Sequence, residues 1–490
     1  VGFKLILLRR FFSTMSKLST EERKFANDFL DFVNGGITQF HATEQAKLRL
    51  QSNGYTEIFE KDNNSFAGVK AGGRYFFTRN QSTIFAFAVG NQWKPGNGFC
   101  IQAAHTDSPV FKVKPISKIT KGNMLGVGVE CYGGGLWNTW FDRDLSVAGR
   151  VIVDNKDNTF LSKLVRVNKP ILRIPNLAIH LNREIYDKGF KPNKEDHCVP
   201  VIASAIKQAL SDTGEQPPSA KKQKTEAADS KQDSQDHHQV LLQLLAAELG
   251  VHAQQIHDFE LSVYDTQPSA LGGAYDEFVN SGRLDNLCMS YVCLRALIDS
   301  SVDLSQESQI RMVALFDNEE IGSSSTMGAA SNMMSSVLTR LNGAETLDAA
   351  VRSSLLVSCD MAHALHPNYP EKHEGRHRPE MHKGLVLKQN ANQRYATSSV
   401  SAFHLKVLAD RHCIPLQKFV VRNDVGCGST IGPILACNTG IRTVDVGVPQ
   451  LAMHSCREMC GTADLLSSYQ LMAALFKEFK SIDDSLVGAD

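Results

Sequence analysis

Short apolar runs separated by helical stretches restrict the fold of this chain more than any other feature of its sequence. Five such runs, of three to six residues each, occupy residues 99–104, 312–316, 355–359, 419–421 and 443–448. Runs of this length between turn residues are typical of strands. Strands that alternate with helical stretches predict an α/β fold in which helices flank a central sheet.

A second region follows a different pattern. Residues 111–200 contain many glycines and several valine-rich segments, which predicts a second, β-rich domain. Two domains also suit the length of 490 residues, since this exceeds what one hydrophobic core usually supports. Near the start, Ser19 and Glu22 fit a capping box ahead of an amphipathic helix that should end at residues 34–36.

The balance of charged residues argues against several classes of partner. Lys and Arg number 52, as do Asp and Glu, so no net field attracts nucleic acid or a membrane surface. No apolar run reaches the length of a membrane-spanning helix. The 11 cysteines contain no CxxC pair, which favours free thiols in a reducing compartment and hence the cytoplasm. We expect Cys456 and Cys460, the closest pair, to be packing residues.

Two segments stand apart from this pattern. Residues 1–14 are basic and contain no acid, a composition typical of a mitochondrial presequence. We favour the alternative that Met15 is the natural start and that residues 1–14 lie upstream of it. Residues 1–18 together would form an N-terminal extension. Residues 211–239 contain no large apolar side chain, so burial cannot offset the entropy of ordering them. We expect a mobile polar insertion there.

Polar residues that can bind metal follow three of the apolar runs. His105 and Asp107 follow the first, Glu319 and Glu320 the second, and Asp360 the third. In an open α/β sheet, ligands bind beyond the carboxyl ends of the strands, so these side chains should meet at one edge. Histidine with carboxylates and no cysteine suits catalytic Zn²⁺, although Mn²⁺ or Co²⁺ would accept the same ligands. In the glutamate doublet, one carboxylate could bind metal while the other acts as general base, although the doublet also fits an acidic turn.

Two further motifs are weaker candidates. One is a histidine-rich tract interrupted by prolines, with histidines at positions 363, 366, 373, 377 and 382. Such tracts can bind metal, but the prolines prevent regular helical spacing, so we favour a polar loop that faces substrate. The glycine-rich stretch 424–430 lacks the lysine of a phosphate-binding P-loop and is better explained as a tight loop near the site.

Several long motifs together resemble the aspartyl aminopeptidase family of co-catalytic zinc peptidases. They are AHTDSP at 104–109, the glycine- and tryptophan-containing stretch 132–144, SGRLDN at 281–286, DNEEIG at 317–322, RND at 422–424 and LAMHS at 451–455. The resemblance extends from about residue 20 to the end, apart from the polar insertion. It implies a metallo-aminopeptidase-like central sheet with an inserted β-rich oligomerisation domain. The corresponding boundaries are 19–110 and 262–490 for the catalytic domain and 111–261 for the insertion.

The resemblance also implies a role for each site residue. Asp285 would bridge two zinc ions, with His105 and Asp360 completing the first site and Glu320 and His454 the second. Asp107 would orient His105, and Glu319 would be the general base. Asp285 and His454 are supplied by the resemblance alone, since the local sequence around Asp285 fits a plain helix N-cap equally well.

Substrate contacts are implied in the same way. Lys388, with Tyr395 nearby, would recognise an acidic side chain, although composition alone favours a solvated lysine in a loop. His180 would reach the active site of a neighbouring subunit, within a tetrahedral dodecamer. The implied activity is removal of N-terminal Asp or Glu from peptides. A metal-dependent deacylase on the same scaffold and a non-catalytic scaffold protein are the alternatives.

Overall fold

The structure is a computed structural model that describes residues 18–155, 157, 159–207 and 236–488. The chain divides into two compact units. Unit 1 combines residues up to Ser108 with residues from Pro268 onward, and unit 2 runs from Pro109 to Gln267. Residues 1–17 of the predicted extension and 211–235 of the predicted polar insertion lie outside the described residues.

The first part of unit 1 begins with two helices and continues into a sheet. In chain order its elements are α1 (Thr20–Gly35), α2 (Gln39–Ser52), β1 (Thr56–Glu57), α3 (Asn63–Ala67), β2 (Arg74–Arg79), β3 (Thr83–Val89) and β4 (Phe99–His105). The predicted capping box is present, because the Ser19 hydroxyl accepts the Glu22 N–H at 3.1 Å and Glu22 accepts the Ser19 N–H at 2.7 Å. Helix α1 therefore begins and ends where the sequence predicts.

Unit 2 is built on an antiparallel sheet, in a region where the pattern of residues 111–200 predicts a β-rich domain. Its elements are β5 (Val110–Lys121), β6 (Met124–Tyr132), β7 (Leu145–Asp154), β8 (Phe160–Arg166), α4 (Ile185–Lys188), β9 (Val201–Ser204), α5 (Gln239–Leu249) and β10 (Ile256–Asp265). The strands form one six-stranded sheet in the order β8-β7-β10-β5-β6-β9, with every pair antiparallel.

The end of the predicted polar insertion is more ordered than expected. The carbonyl of Asp236 accepts the N–H groups of Ser117 and Lys118 at 2.8 and 3.0 Å, and His238 is only 3% exposed. Gln239 already belongs to α5. The expectation of a mobile segment is therefore wrong for residues 236–239, because their backbone is tied to the neighbouring strand β5.

The second part of unit 1 carries most of its helices. In chain order the elements are β11 (Ala270–Gly272), β12 (Phe278–Ser281), α6 (Leu284–Ser300), β13 (Ile310–Phe316), α7 (Met333–Asn342), α8 (Leu347–Arg352), β14 (Leu355–Cys359), β15 (Ala362–His363), β16 (Leu385–Lys388), α9 (Ser399–Arg411), β17 (Leu416–Phe419), α10 (Ile431–Thr439), β18 (Arg442–Gly447), β19 (Pro449–Leu451), β20 (Glu458–Gly461) and α11 (Thr462–Asp483). A smaller five-stranded sheet has the order β11-β12-β20-β19-β15.

A nine-stranded sheet forms the centre of unit 1, in the order β1-β2-β3-β13-β4-β14-β18-β16-β17. The four strands β13, β4, β14 and β18 are parallel neighbours, and they contain four of the five predicted runs. The fifth run is misplaced, because the strand there ends at Phe419 instead of beginning with it. Residues 420 and 421 follow the strand, and the Val421 side chain packs against a small separate cluster with Tyr395.

Both faces of this sheet are buried, which explains why its strands are apolar throughout. In β13, Val313 and Leu315 belong to one hydrophobic cluster, whereas Met312, Ala314 and Phe316 belong to another. Such alternation is expected of a strand between two layers of helices. Helices α1, α6, α9 and α11 supply the first cluster, and α7, α8 and α10 supply the second. The α/β fold with helices on both sides of a central sheet is thus confirmed.

Candidate metal centre

Three neighbouring strands bring the predicted polar residues to one edge of the sheet. His105 is the last residue of β4 and pairs with Phe316, the last residue of β13. After β13 the chain turns through Asn318, whose φ of 64° is left-handed, and so presents Glu319 and Glu320. Asp360 follows directly after β14. Parallel strands end at the same edge, and for this reason three separate segments converge.

Two further residues reach the same place from other elements. Asp285 lies in the first turn of α6 with non-helical backbone angles, and Arg283 occupies the N-cap position. The interpretation of Asp285 as a plain N-cap is therefore wrong. His454 lies in the loop of residues 452–457 between β19 and β20, with a left-handed φ of 65°. No periodicity marks such a loop residue, so its sequence motif was the only available signal.

The distances show how closely these side chains gather. The His105 Nε2 atom lies 3.3 Å from Asp285 Oδ1, 3.8 Å from Asp360 Oδ1 and 3.9 Å from Glu319 Oε2. The His454 Nε2 atom lies 3.3 Å from Asp285 Oδ2 and 3.4 Å from Glu320 Oε2. Asp285 thus turns one carboxylate oxygen toward each histidine.

The chemistry of these donors fits a divalent cation. The side chains of His105 and Asp285 are only 1% and 4% exposed. Three buried polar atoms of this cluster have no hydrogen-bond partner in the described part of the chain: His105 Nε2, Asp285 Oδ1 and Glu320 Oε1. Such atoms are rare in folded proteins unless a further group satisfies them. There are two sets of three ligand atoms, and within each set the atoms lie within 4.8 Å of one another. One set comes from His105, Asp285 and Glu320, and the other from His105, Glu319 and Asp360.

The electrostatics of the cluster point the same way. Burial raises the pKa of Glu319 to about 8, helped by the nearby charge of Asp360 and opposed by His105. Burial and the charge of Asp285 likewise raise the pKa of Glu320. Burial lowers the pKa of His105, but the surrounding carboxylates outweigh this and raise it. Burial raises the pKa of Asp285, but its contacts with His105 and His454 outweigh this and lower it. Crowded carboxylates repel one another, and cations placed among them would offset that repulsion.

Asp107 connects two of the converging strands. Its carboxylate accepts the N–H groups of Glu319 and Glu320, each at 3.1 Å. The His105 Nδ1 atom lies 3.4 Å from the same carboxylate and 3.1 Å from the Asp107 carbonyl. A partner on the second ring nitrogen fixes the orientation of a histidine whose first nitrogen is a ligand. The position of Asp107 suits that purpose.

Lys388 and Tyr395 lie together beside Asp360. The Lys388 ammonium donates to the Met361 carbonyl at 3.0 Å and lies 3.6 Å from Asp360 Oδ2. It also lies 5.1 Å from the centre of the Tyr395 ring. Its side chain is 3% exposed, so the solvated lysine that composition favours is wrong. The lysine ends strand β16 inside the sheet instead of extending from a loop.

The histidine-rich tract and the glycine-rich loop line one cavity. Its volume is about 360 Å³, and His363, His366 and His373 share its wall with Tyr395 and Cys427. The tract is held by its own contacts, since the His366 N–H donates to His373 Nε2 at 3.0 Å. Within the described ranges, none of the five tract histidines belongs to a set of candidate metal ligands. His363 ends strand β15, and the interpretation of the tract as a polar loop that faces substrate stays a prediction.

His180 lies in unit 2, in a short 3₁₀ turn over Ile179–Leu181. The turn is exposed, and so are the apolar residues Leu177 and Leu181, at 59% and 75%. Apolar side chains clustered at a surface often mark a contact with another protein.

The histidines and carboxylates gathered at this edge have the donor set of a metal-dependent hydrolase. A family model described as Aminopeptidase I zinc metalloprotease (M18) matches residues 32–479. The chain belongs to this family and is a zinc-dependent aminopeptidase. The resemblance to aspartyl aminopeptidases is likewise confirmed by the curated relatives.

Two relatives and two solved structures illustrate the similarity. A probable aspartyl aminopeptidase of Ricinus communis is 50% identical, and the match covers 95% of this chain and 98% of the relative. The aspartyl aminopeptidase of Dictyostelium discoideum is 46% identical, and the match covers 94% of this chain and 97% of that relative. Ape4, solved in complex with Nbr1, has a TM-score of 0.90 at 42% identity and covers 97% of this chain and 90% of Ape4. The mApe1 dodecamer of Saccharomyces cerevisiae has a TM-score of 0.81 at 27% identity, with 96% and 100% covered.

Within the described residues, no helix has both the length and the apolar character needed to cross a membrane.

Proposed function

We propose that this enzyme removes N-terminal Asp or Glu from peptides and that it uses two zinc ions per chain. The observation that carries the proposal is the position of Asp285, whose two carboxylate oxygens face two different histidines at 3.3 Å. A carboxylate that serves two ions needs this orientation. When bound, the ions would supply Lewis acidity that lowers the pKa of water and polarises the peptide carbonyl.

Each ligand has a place in this scheme. His105 and Asp360 would hold the first ion, Glu320 and His454 the second, and Asp285 both. The carboxylate of Glu319 lies near His105 but is 14% exposed, more than those of Asp285 and Glu320, so substrate could reach it. Glu319 would take a proton from the attacking water and return it to the departing amine. Asp107 would keep His105 in position through Nδ1. The same oxygen and nitrogen ligands would accept Mn²⁺ or Co²⁺.

Selectivity for acidic residues would come from Lys388. Its ammonium is a buried cation beside Asp360, and Tyr395 packs against it. A substrate carboxylate that enters here would pair with the Lys388 ammonium. The attraction between the two charges is strong because the site is largely shielded from solvent. The adjoining cavity lined by Tyr395 and the tract histidines would hold the remainder of the substrate.

Assembly into a dodecamer is part of the proposal. A homologous protein, the mApe1 of Saccharomyces cerevisiae, is described as a dodecamer. The exposed apolar residues around His180 in unit 2 suit a contact between subunits, through which His180 would reach a neighbour's active site. We expect a tetrahedral arrangement. Measuring the mass of the assembly in solution tests the dodecamer, and comparing the kcat of reporter hydrolysis of wild type and His180→Ala tests the contribution to catalysis in trans.

We also propose that the chain works in the cytoplasm. None of the eleven cysteines, all of which lie within the described residues, belongs to a disulfide, in keeping with a reducing compartment. Imaging of the tagged full-length chain would test this, and localisation to mitochondria would instead favour the presequence interpretation of residues 1–14.

Hydrolysis of reporter substrates tests the activity itself. Asp- and Glu-linked reporters should be cleaved far faster than Leu- or Lys-linked ones, and a chelator should abolish cleavage. N-acetylated Asp reporters should remain intact, because an aminopeptidase requires the free amine. Cleavage of the acetylated reporters would favour a deacylase, and activity that survives the chelator would overturn the metal-dependent mechanism.

A further inference from the structure

A buried carboxylate beside the metal centre takes no part in the mechanism above. Glu458 is the first residue of β20 and is 3% exposed. Its Oε1 atom accepts the His454 N–H at 2.8 Å and the Gln450 side-chain amide at 3.4 Å. Its Oε2 atom accepts the Asp285 N–H at 3.1 Å. Each carboxylate oxygen therefore receives a backbone amide.

Both backbone amides belong to proposed metal ligands. Asp285 comes from the start of α6, and His454 comes from the 452–457 loop, so the two ligands are far apart in sequence. Their side chains nevertheless meet at 3.3 Å. Glu458 contacts both of them through their backbone N–H groups, and its own strand β20 pairs with β12, where Ser281 lies opposite it.

The backbone around His454 needs such support. Ala452 and His454 both have left-handed backbone angles, with φ of 57° and 65°. Non-glycine residues adopt these angles at an energetic cost and keep them only where neighbouring groups enforce them. The bond from the His454 N–H to Glu458 is one such constraint.

We propose that Glu458 is a positioning residue that sets the spacing of Asp285 and His454 for the second zinc ion, acting through their backbone amides. This inference rests on the proposed two-zinc function. Glu458 touches neither substrate nor metal in this scheme. Its contribution would be to hold two ligands at the separation that the ion requires, before the ion binds.

The chemistry explains why the residue is a carboxylate. Both oxygens face N–H donors, so the group must offer an acceptor on each side. A glutamine has the same shape but carries an NH₂ group in place of one oxygen, and that group would face a donor. Glu458→Gln would therefore release either Asp285 or His454 while leaving the volume of the site unchanged.

Asp464 offers a matched control. Its carboxylate is also buried, and it also accepts two backbone amides, those of His382 at 2.6 Å and Gly384 at 2.7 Å. Neither of these donors is a proposed metal ligand. Asp464→Asn introduces the same mismatch between donors, in the same unit, without touching the amides of Asp285 and His454.

The experiment compares the zinc affinities of wild type, Glu458→Gln and Asp464→Asn in full-length protein. Zinc content is measured across a series of chelator-buffered zinc concentrations, and the Tm of each zinc-free protein is measured separately. We expect Glu458→Gln to weaken one of two zinc sites by roughly 10–100-fold, the usual effect of losing a group that orients a ligand. Asp464→Asn should keep the affinity of the wild type at both sites, even if its Tm falls equally. In the cobalt-substituted protein, the visible absorption bands should shift only in Glu458→Gln.

Three outcomes would overturn the inference. The first is an unchanged affinity at both sites in Glu458→Gln, and the second is an equal loss in Asp464→Asn. The third is failure of both Glu458→Gln and Glu458→Asp to fold while Asp464→Asn folds, because Glu458 would then be needed for the fold itself. A wild-type protein that binds fewer than two zinc ions would instead refute the proposed function, so the two failures are distinguishable.

Discussion

His105 and His454 face the same aspartate from very different surroundings. His105 ends a central strand that is buried on both faces, its side chain is 1% exposed, and its second ring nitrogen lies beside Asp107. His454 lies in a loop with left-handed backbone and is 30% exposed. Sheet register holds the first histidine, whereas a few polar contacts hold the second. The loop side of the metal centre should therefore be the more easily disturbed.

Removing the residue that both sides share should have the largest effect. In Asp285→Ala, neither histidine retains its nearest carboxylate, so both zinc ions should be lost. We expect kcat/KM to fall by about 10³-fold or more, as when a group that stabilises the transition state is removed. Metal analysis and reporter hydrolysis would check this. Asp299→Ala, at a partly exposed ion pair with Arg295, serves as control. Two ions retained in Asp285→Ala would exclude a shared ligand.

The two neighbouring glutamates have different proposed roles, with Glu319 as the general base and Glu320 as a metal ligand. Glu319→Gln should keep its zinc but lower kcat by about 10²–10⁴-fold, the usual contribution of a general base. Glu320→Gln should instead lose zinc from the loop side, because Glu320 lies 3.4 Å from His454. Zinc content and kcat are measured for both variants. The assignment fails if the two variants lose zinc equally.

A substitution of Lys388, at the end of strand β16, tests whether this lysine determines the preference for acidic N-terminal residues. Lys388→Met should lower the preference for Asp over Leu reporters by roughly 10–100-fold, since a hydrogen bond to a charged group contributes about 1.5–3 kcal/mol. Lys383→Met, at an exposed pair with Glu380, is the matched control and should keep the preference. If Lys388→Met discriminates as well as the wild type, acidic side chains are recognised elsewhere.

The smallest expected effect concerns the stability of the fold, at a contact of strand β18 that involves no proposed metal ligand. Asp483 in α11 accepts two bonds from Arg442 of β18, at 2.7 and 2.9 Å, and lies 3.0 Å from the His404 ring. Burial would raise the pKa of Asp483, but these contacts outweigh it and lower the pKa below its ordinary 3.8. The stabilisation is therefore complete above about pH 4 and is lost as the pH falls further.

Asp483→Asn should reduce the free energy of unfolding by about 1–3 kcal/mol at pH 7. The difference from wild type should shrink toward pH 3, because Asp483 then takes up a proton in the unfolded chain, whereas its lowered pKa keeps it ionised in the folded protein. Urea unfolding of the zinc-free proteins between pH 3 and pH 7 would measure it. A difference that does not change with pH would show that the charge of Asp483 contributes little.

The strand-borne part of the centre was predictable from local patterns. The apolar runs at 99–104, 312–316 and 355–359 correspond to β4, β13 and β14, and the residues that follow them converge. Buried parallel strands are nearly continuous apolar runs, and their carboxyl ends share an edge, so position in the sequence implies position in space. The run at 419–421 fails because a short apolar stretch does not reveal where a strand ends.

The loop-borne part could not be predicted in this way. Asp285 and His454 lie in a distorted helix start and a left-handed loop, where no periodicity relates sequence to direction, and family motifs alone indicated them. The burial of Lys388 and the contacts of Glu458 likewise depend on segments distant in sequence. The sequence by itself determined four neighbouring strands of the central sheet, the two-unit character and three of the segments that carry proposed ligands. Only the tertiary structure decided how the remaining ligands meet them, because that spacing depends on hydrogen bonds between elements that no local pattern connects.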